Sequence, residues 1–313
     1  MNTPSHAMQE SPTGSQSFAP FVVSALRPFF WSVRREFWEY RSLYIAPLAA
    51  AALFLTGFLF KVIAFRYHMH GVPADSPLQG HAFTMPYEIS GGLIMGTVVI
   101  LGLFYSLDAL YGERRDRSIL FWKSLPVSDL TVVLSKISIP LVFLPLLSLV
   151  ITFAVQFSML LLASVGLLGS GANIGAIWTQ ESFFHVSLGL FYHIITVHGL
   201  WYAPLYSWLL LVSAAAPRAP FIWAFVPPFV IGVVEKVMFN TSHFAAMLQQ
   251  RLIGPSSTAS AMSGSAAGHV SVDPIANLIP HHFLSEPGLW IGLAIAMVFL
   301  AATVRIRRYR GPI

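Results

Sequence analysis

The densest cluster of charged side chains in the sequence lies in residues 111–129, which read YGERRDRSILFWKSLPVSD. Five consecutive charged residues fill positions 113–117, and the aromatic pair Phe121 and Trp122 follows closely. Charges at this density can form ion pairs and contact a partner, but they are too costly to place in hydrocarbon. We therefore predict a short amphipathic helix at a membrane surface, either displayed to a partner or only re-entering the interface.

A second pair of ionisable side chains lies inside an apolar run. Glu235 and Lys236 follow Pro227 and Pro228, which break or bend a helix and free carbonyl groups that must face protein or a cavity. Ionisable residues within a membrane span are candidate functional residues, because a charge in hydrocarbon is costly. Glu235 is therefore a candidate for contact with a substrate. The alternative is that both charges reach interfacial water.

Two residues of another apolar run complete a possible translocation path. His193 and Tyr202 carry polar groups in a segment that is otherwise apolar. They are candidates to line a polar path, or alternatively to form hydrogen bonds between helices.

No motif for covalent or nucleotide chemistry occurs in the chain. The patterns G-x-x-x-x-G-K-[ST], H-E-x-x-H and G-x-S-x-G are all absent. The chain has no cysteine, which excludes disulfides and thiolate chemistry. We therefore predict no catalytic residue. We also predict no metal ligand, because the histidines of the predicted outer segments match no metal-site spacing. These histidines are His68, His70, His81, His269, His281 and His282.

The composition indicates an integral membrane protein. Hydrophobic residues make up 56% of the 313 residues and charged residues 10%, whereas soluble domains carry about 25% charged residues. The net charge of +5 does not indicate nucleic-acid binding, because the basic residues flank apolar runs instead of forming one stripe.

Six apolar runs are long enough to cross a bilayer, which needs about 20 residues of helix. If the N-terminus is cytoplasmic, 14 of the 18 Lys and Arg residues lie on the cytoplasmic side, in agreement with the usual bias of positive charge. The predicted fold is an all-α integral membrane protein with six transmembrane helices and both termini in the cytoplasm. The predicted spans are 44–65, 91–111, 137–162, 184–214, 221–238 and 289–304.

The N-terminal region precedes the first span. Residues 1–19 are polar and lack the apolar core of a signal peptide, so we predict a disordered tail. Residues 20–43 alternate arginines with aromatic residues, which predicts an interfacial elbow helix. Arg34, Arg35 and Trp38 are its candidate membrane-interface residues.

The remaining boundaries follow from the spans. The six-span domain covers 44–306, with the charged segment at 111–129 and an outer loop at 239–288. Residues 307–313 form a basic C-terminal tail.

The charged segment itself has helix signals. Ser118 is suited to begin a helix and Pro126 to end it. Ser128 or Asp129 then caps the next helix, which continues through Lys136 into the third span.

These residues resemble the signature of ABC-2 type transporter permeases. The resemblance covers about residues 34–141, and beyond them only the six-span layout is similar. Many members carry Gly-Thr or Gly-Ser where this chain has Arg117-Ser118, a departure that adds charge. The matching motifs are Glu113-Arg114, Ser118-Ile119-Leu120, Leu125-Pro126-Val127-Ser128 and Lys136.

In that family the segment forms a coupling helix that docks on a separate ATPase subunit. The resemblance implies a non-enzymatic permease subunit of an ABC exporter in the cytoplasmic (inner) membrane of a bacterium. The implied partners are two ATPase subunits holding ATP and Mg, a second copy or a related permease, and membrane lipids. The implied cargo is hydrophobic or amphipathic: a drug, peptide, lipid or glycan. The residues expected to couple to the ATPase are Glu113, Arg114, Arg117, Ser118, Phe121, Trp122 and Pro126.

Other classes of function remain open on the residues alone. Glu235 and Lys236 would suit an ion-coupled secondary transporter. Glu235 or the histidines of the predicted outer segments would also suit a membrane assembly factor or an enzyme that acts at the outer face.

Overall fold

The computed structural model describes residues 21–68, 77–124, 127–166, 194–253 and 286–311. Every secondary-structure element in these ranges is helical. The elements are α1 (Phe21–Glu39), α2 (Ser42–His68), α3 (Pro77–Asp108), α4 (Tyr111–Arg115), α5 (Ser118–Ser124), α6 (Asp129–Ser138), the π-helical segment π1 (Ile139–Phe143), α7 (Leu144–Gly166), the π-helical segment π2 (Ile194–Trp201), α8 (Ala203–Ala215), α9 (Pro220–Phe239), α10 (His243–Ile253) and α11 (Pro287–Tyr309).

Five helical stretches of the described chain are long and apolar enough to cross a membrane. They match the predicted spans one, two, three, five and six, and the described chain is a multi-pass helical membrane protein. The predicted fourth span lies partly outside the described residues, and its described part is π2 and the shorter α8. The five stretches are Ser42–Ala64, Ile89–Arg115, Asp129–Gly166, Pro220–Phe239 and Pro287–Tyr309.

The third of these stretches is continuous from α6 to α7 through π1. Pro140 has no N–H and cannot make the α-helical bond to the residue four positions earlier. The backbone N–H of Leu144 instead bonds the carbonyl of Ile139, five residues back, which is π-helical geometry. The proline therefore widens the helix locally without ending it.

Two hydrophobic clusters hold the bundle together. One joins α2, α3 and α7 and includes Phe58, Ile94 and Met159. The other joins α1, α3, α6, α8 and α11 next to the charged segment, and Tyr206 lies fully buried in it. The helix α8 packs most extensively against α11. By contrast, α9 lies at the edge of the bundle, and Ala224 is its one buried residue.

Two predicted segments differ from the structure, and a third lies outside the described residues. The segment 239–288, predicted as an outer loop, contains α10. The last helix continues to Tyr309, so the first residues of the predicted C-terminal tail 307–313 are helical. The predicted disordered tail 1–19 lies outside the described residues.

Candidate functional site

The charged segment folds into two short helices: α4 forms the end of the second apolar stretch, and α5 follows it. The helix α4 ends at Arg115, and α5 begins at Ser118 after a turn in which Arg117 has φ 58°. Ser128 caps α6, because its hydroxyl accepts a hydrogen bond from the backbone N–H of Thr131 at 3.1 Å. Of the two predicted caps, Ser128 is therefore the one that the structure uses. Pro126 lies outside the described residues.

Four buried side chains form a charge network at the base of these helices. Glu113, which is 5% exposed, lies between two cations. Its Oε1 is 3.1 Å from Lys136 Nζ, and its Oε2 is 3.1 Å from Arg307 Nη2. Lys136 Nζ also lies 2.8 Å from Glu36 Oε1. Glu36, Glu113, Lys136 and Arg307, the buried charge network, thus balance two negative charges with two positive ones.

The network joins four elements that are distant in sequence. Glu36 lies on α1, Glu113 on α4, Lys136 on α6 and Arg307 on α11. Burying four charges is costly unless each one is paired, so these helices hold one another in a defined arrangement.

Further hydrogen bonds extend the network to neighbouring groups. Arg307 Nη1 donates to Asp129 Oδ1 at 2.7 Å, at the start of α6. The hydroxyl of Tyr105 on α3 donates to Glu36 Oε2 at 2.8 Å. The first contact adds the Asp129 carboxylate as a further partner of Arg307, and the second satisfies the other oxygen of Glu36.

A second link joins α1 to α3. The hydroxyl of Tyr40 donates to Asp108 Oδ2 at 3.1 Å. Burial, together with the Asp108 carboxylate, raises the pKa of Tyr40 above its ordinary value, which keeps the hydroxyl protonated as a donor.

Arg114 fixes α4 to the end of α8. Its Nη1 donates to the carbonyls of Ala214 at 2.8 Å and Ala216 at 3.0 Å. A cation at this position suits the carbonyls that are left unpaired at a helix C-terminus. Nearby, the Ser213 hydroxyl accepts hydrogen bonds from the backbone of Leu110 and Tyr111.

The helix α5 has an anchored side and a free side. Ile119 is buried, and the guanidinium of Arg35 lies 3.8 Å from the ring centroid of Trp122, which ties α5 to α1. Lys123 Nζ donates to the carbonyl of Arg310 at 3.0 Å, which ties α5 to the end of α11. On the other side Phe121 is 62% exposed, and its neighbour Leu120 is exposed as well.

The described residues predicted to couple to an ATPase therefore fall into three groups by burial. Glu113 and Arg114 are buried and hold α4 in place. Arg117 and Phe121 are exposed, whereas Ser118 and Trp122 are half-buried.

The residues predicted at the membrane interface lie on two sides of α1. The guanidinium of Arg34 lies between the indoles of Trp31 and Trp38, at 5.2 and 4.7 Å from the ring centroids. Both tryptophans are exposed. Arg35 instead faces α5 through Trp122.

The two described members of the predicted translocation path, Glu235 and Tyr202, form hydrogen bonds to opposite ends of α10. Glu235 uses both oxygens at the start of α10: Oε1 accepts from the Thr241 hydroxyl at 2.9 Å and from the His243 backbone at 2.7 Å, and Oε2 accepts from the Phe244 backbone at 2.8 Å. The hydroxyl of Tyr202 donates to the carbonyl of Leu252 at 3.1 Å. His193 lies outside the described residues.

Two members of the buried charge network are not singled out by the sequence reasoning. Glu36 lies among the arginines of α1 and resembles a solvated interfacial residue. Arg307 is one of several arginines at the end of α11, but it shares a buried helix face with Thr303 and Ala296. That spacing of small and polar residues is the signal that distinguishes it from its neighbours.

Among the described residues no group of three or more His, Cys, Asp or Glu side chains is placed to hold a metal ion. The site combines buried ion pairs with the exposed side chains Leu120 and Phe121, on a helical protein that crosses the membrane several times. Comparisons with models of protein families, with curated proteins and with solved structures give no match.

Proposed function

We propose that this chain is the membrane subunit of an ATP-driven exporter of the ABC-2 type and that α5 is the helix on which its ATPase subunit docks. The observation that carries the proposal is the exposure of Phe121 and Leu120 on a helix whose other side is anchored. The flanking residues Arg117 and Lys123 are exposed charges that cannot enter hydrocarbon. An apolar patch with a charged rim is typical of a protein-binding surface.

The contacts of α5 supply a route by which a docked partner would act on the bundle. A displacement of α5 would strain the Arg35–Trp122 contact with α1 and the Lys123 contact with α11. The buried charge network resists separation, because breaking a buried ion pair costs about 3–5 kcal/mol. The elements α1, α4, α6 and α11 are therefore expected to move together, and α6 and α11 belong to membrane spans.

This geometry divides the proposed coupling residues by role. Phe121 and Arg117 would contact the ATPase. Glu113 and Arg114 would position the docking helix from inside the protein, without touching the partner. Trp122 and Ser118 would join the two groups.

The remaining parts of the proposal rest on the sequence resemblance alone. They are a second permease copy or a related permease, two ATPase subunits that hold ATP and Mg, and a bacterial inner membrane. In this proposal, ATP binding moves the docking helices and switches the access of a membrane cavity, so that a hydrophobic or amphipathic compound leaves the cell. The permease itself contributes two conformations with different affinity for that compound.

The test is purification of the full chain from its own membranes after mild solubilisation, followed by reconstitution in proteoliposomes. The proposal expects co-purification of a subunit with a G-x-x-x-x-G-K-[ST] sequence and ATP hydrolysis by the complex. Phe121→Ala should lower the amount of bound ATPase about tenfold or more if Phe121 is an anchor of the interface.

Phe104→Ala is the matched control, because Phe104 is also a phenylalanine and is 61% exposed, but it lies within the second span. It should leave ATPase binding unchanged. Full binding and hydrolysis by a Phe121→Ala, Leu120→Ala double variant would overturn the proposal. So would transport that follows an ion gradient and ignores ATP, which is the outcome expected of a secondary transporter.

A secondary transporter or assembly factor that uses Glu235 gains no support from the geometry. Its carboxylate oxygens are both engaged by the first residues of α10. We therefore retain that function only as the alternative outcome of the experiment above.

A further inference from the structure

An apolar groove between α9 and α10 lies apart from the charged segment. It has a volume of about 820 Å³, within the range of roughly 300–1,000 Å³ that is typical of small-molecule sites. Both helices contribute residues at helical spacing, so each presents one continuous apolar face to the groove. The central lining residues are Phe225, Phe229 and Gly232 of α9 and Phe244, Leu248 and Leu252 of α10.

The groove is held open by attachments at both ends of α10. At the first end the chain reverses at Asn240, whose φ is 51°, and Glu235 caps the helix through the backbone of Phe244. At the other end the guanidinium of Arg251 lies 4.1 Å from the ring centroid of Trp201, and Arg251 also donates to the carbonyl of Gly288. Contacts within the protein therefore fix α10 at both ends, to α9 at its start and to Trp201 and Gly288 at its end.

One positive charge lies at the edge of this apolar lining. Lys236 belongs to the groove and is exposed. None of the ion pairs formed within the described ranges includes Lys236. Its neighbour Glu235 directs both oxygens to α10. The ammonium group of Lys236 is thus available to an anion outside the protein.

We propose that the groove binds one acyl chain of an anionic phospholipid and that Lys236 contacts its phosphate. The helix α9 is apolar enough to span a membrane, and Ala224 alone is buried among its residues, so the groove opens to hydrocarbon. Lys236 lies one turn from the end of this helix, where a lysine reaches the headgroup zone.

The chemistry of the groove selects this class of ligand. A soluble anion would gain nothing from the apolar lining, and a zwitterionic lipid would gain less from the lysine. This inference does not depend on the proposed transport function.

The proposal is tested by native mass spectrometry of the full chain. The chain is purified in detergent that contains equal amounts of phosphatidylglycerol and phosphatidylcholine. The wild-type chain should retain the anionic lipid about five-fold in preference to the zwitterionic one, as expected for one lysine near a charged headgroup. Lys236→Ala should abolish that preference. Gly232→Leu, which fills the groove beside Phe244, should reduce retention of both lipids.

Two matched variants control for general effects on the membrane surface. Lys61→Ala removes a lysine near the end of another span, and Gly57→Leu adds the same side chain at a glycine whose Cβ would meet nothing within 4 Å. Both should behave as the wild type. Equal retention of the two lipids by the wild-type chain, or an equal loss in Lys61→Ala and Lys236→Ala, would overturn the proposal. The proposal would also be overturned if the wild-type chain showed no lipid preference and formed a dimer that Gly232→Leu dissociates. The groove would then be the contact surface for a second copy of the chain.

Discussion

Glu113 and Arg307 form an ion pair, 3.1 Å between Oε2 and Nη2, although 194 residues separate them in the sequence. The pair joins α4, at the end of the second apolar stretch, to the last helix of the described chain. Since the side chains are both buried, this contact couples the charged segment to the membrane-spanning bundle more firmly than any surface ion pair would.

Removal of the Glu113 charge should strongly destabilise the protein. Glu113→Gln leaves Lys136 and Arg307 with an excess of buried positive charge, which costs about 3–5 kcal/mol. The measurement is the free energy of unfolding in mixed micelles with increasing fractions of sodium dodecyl sulfate. Asp116→Asn serves as the control, because it removes a carboxylate from the exposed Arg115–Asp116 pair and should change stability by less than ~1 kcal/mol. Equal losses of unfolding free energy in the two variants would show that the buried Glu113 carboxylate contributes no more to stability than the exposed Asp116 carboxylate.

Replacing Lys136 alone should lower the free energy of unfolding more than replacing Lys136 and Glu36 together. Lys136→Met leaves two buried carboxylates without their shared cation. The double variant Lys136→Met, Glu36→Gln also neutralises one of those carboxylates, and Glu113 keeps its contact with Arg307. The same unfolding measurement should therefore show the double variant to be more stable than Lys136→Met. Additive losses would indicate that the two residues do not interact.

Arg117 should be replaceable by glycine with a gain in stability. Its φ of 58° lies in the left-handed region, which costs a residue with a side chain about 1 kcal/mol relative to glycine. Arg117→Gly should raise the midpoint of thermal unfolding. Arg115→Gly, at the last residue of the helix α4, should lower it. A lower midpoint in Arg117→Gly would show that the arginine side chain makes a stabilising contact that outweighs the backbone cost.

Composition and hydropathy predict the membrane class and most spans because lipid imposes simple requirements on length and polarity. Five predicted spans correspond to helices of the described chain. The helix α10 was not predicted, because its eleven residues are too short and too polar to resemble a span. The span predicted over 137–162 runs through Pro140, but hydropathy does not predict the π-helical segment there, because it depends on the hydrogen bonds of neighbouring residues.

The charged segment shows why a site is harder to predict than a span. Its sequence predicts one short helix that begins at Ser118 and a following helix capped at Ser128 or Asp129, and α5 and the cap at Ser128 agree with those two predictions. The burial of Glu113 and Arg114 does not follow, because it depends on Arg307, Ala214 and Ala216 far along the chain. Local sequence contains the charges, whereas their partners are determined by tertiary packing.

Arg35 and Trp122 should show a measurable coupling energy between α1 and α5. The guanidinium lies 3.8 Å from the indole centroid, and a partly desolvated cation–π contact contributes about 1–2 kcal/mol. A double-mutant cycle with Arg35→Ala and Trp122→Leu, measured by unfolding free energies, isolates this term. The cycle of Arg34→Ala and Trp38→Leu is the control, because that pair lies exposed on the same helix and should couple less strongly. A coupling energy near zero for Arg35 and Trp122 would show that α5 is not tied to α1 through Trp122.

Glu235 should act as the cap of α10 and not as an ion-binding group. Glu235→Ala removes the acceptor for the backbone N–H groups of His243 and Phe244, so the first turn of α10 should open more often. Hydrogen–deuterium exchange should become faster in residues 241–246 and remain unchanged in α5. Glu235→Gln retains an acceptor oxygen and should restore part of the protection. Full protection of α10 in Glu235→Ala would contradict the capping role, because the helix would then be held without its carboxylate.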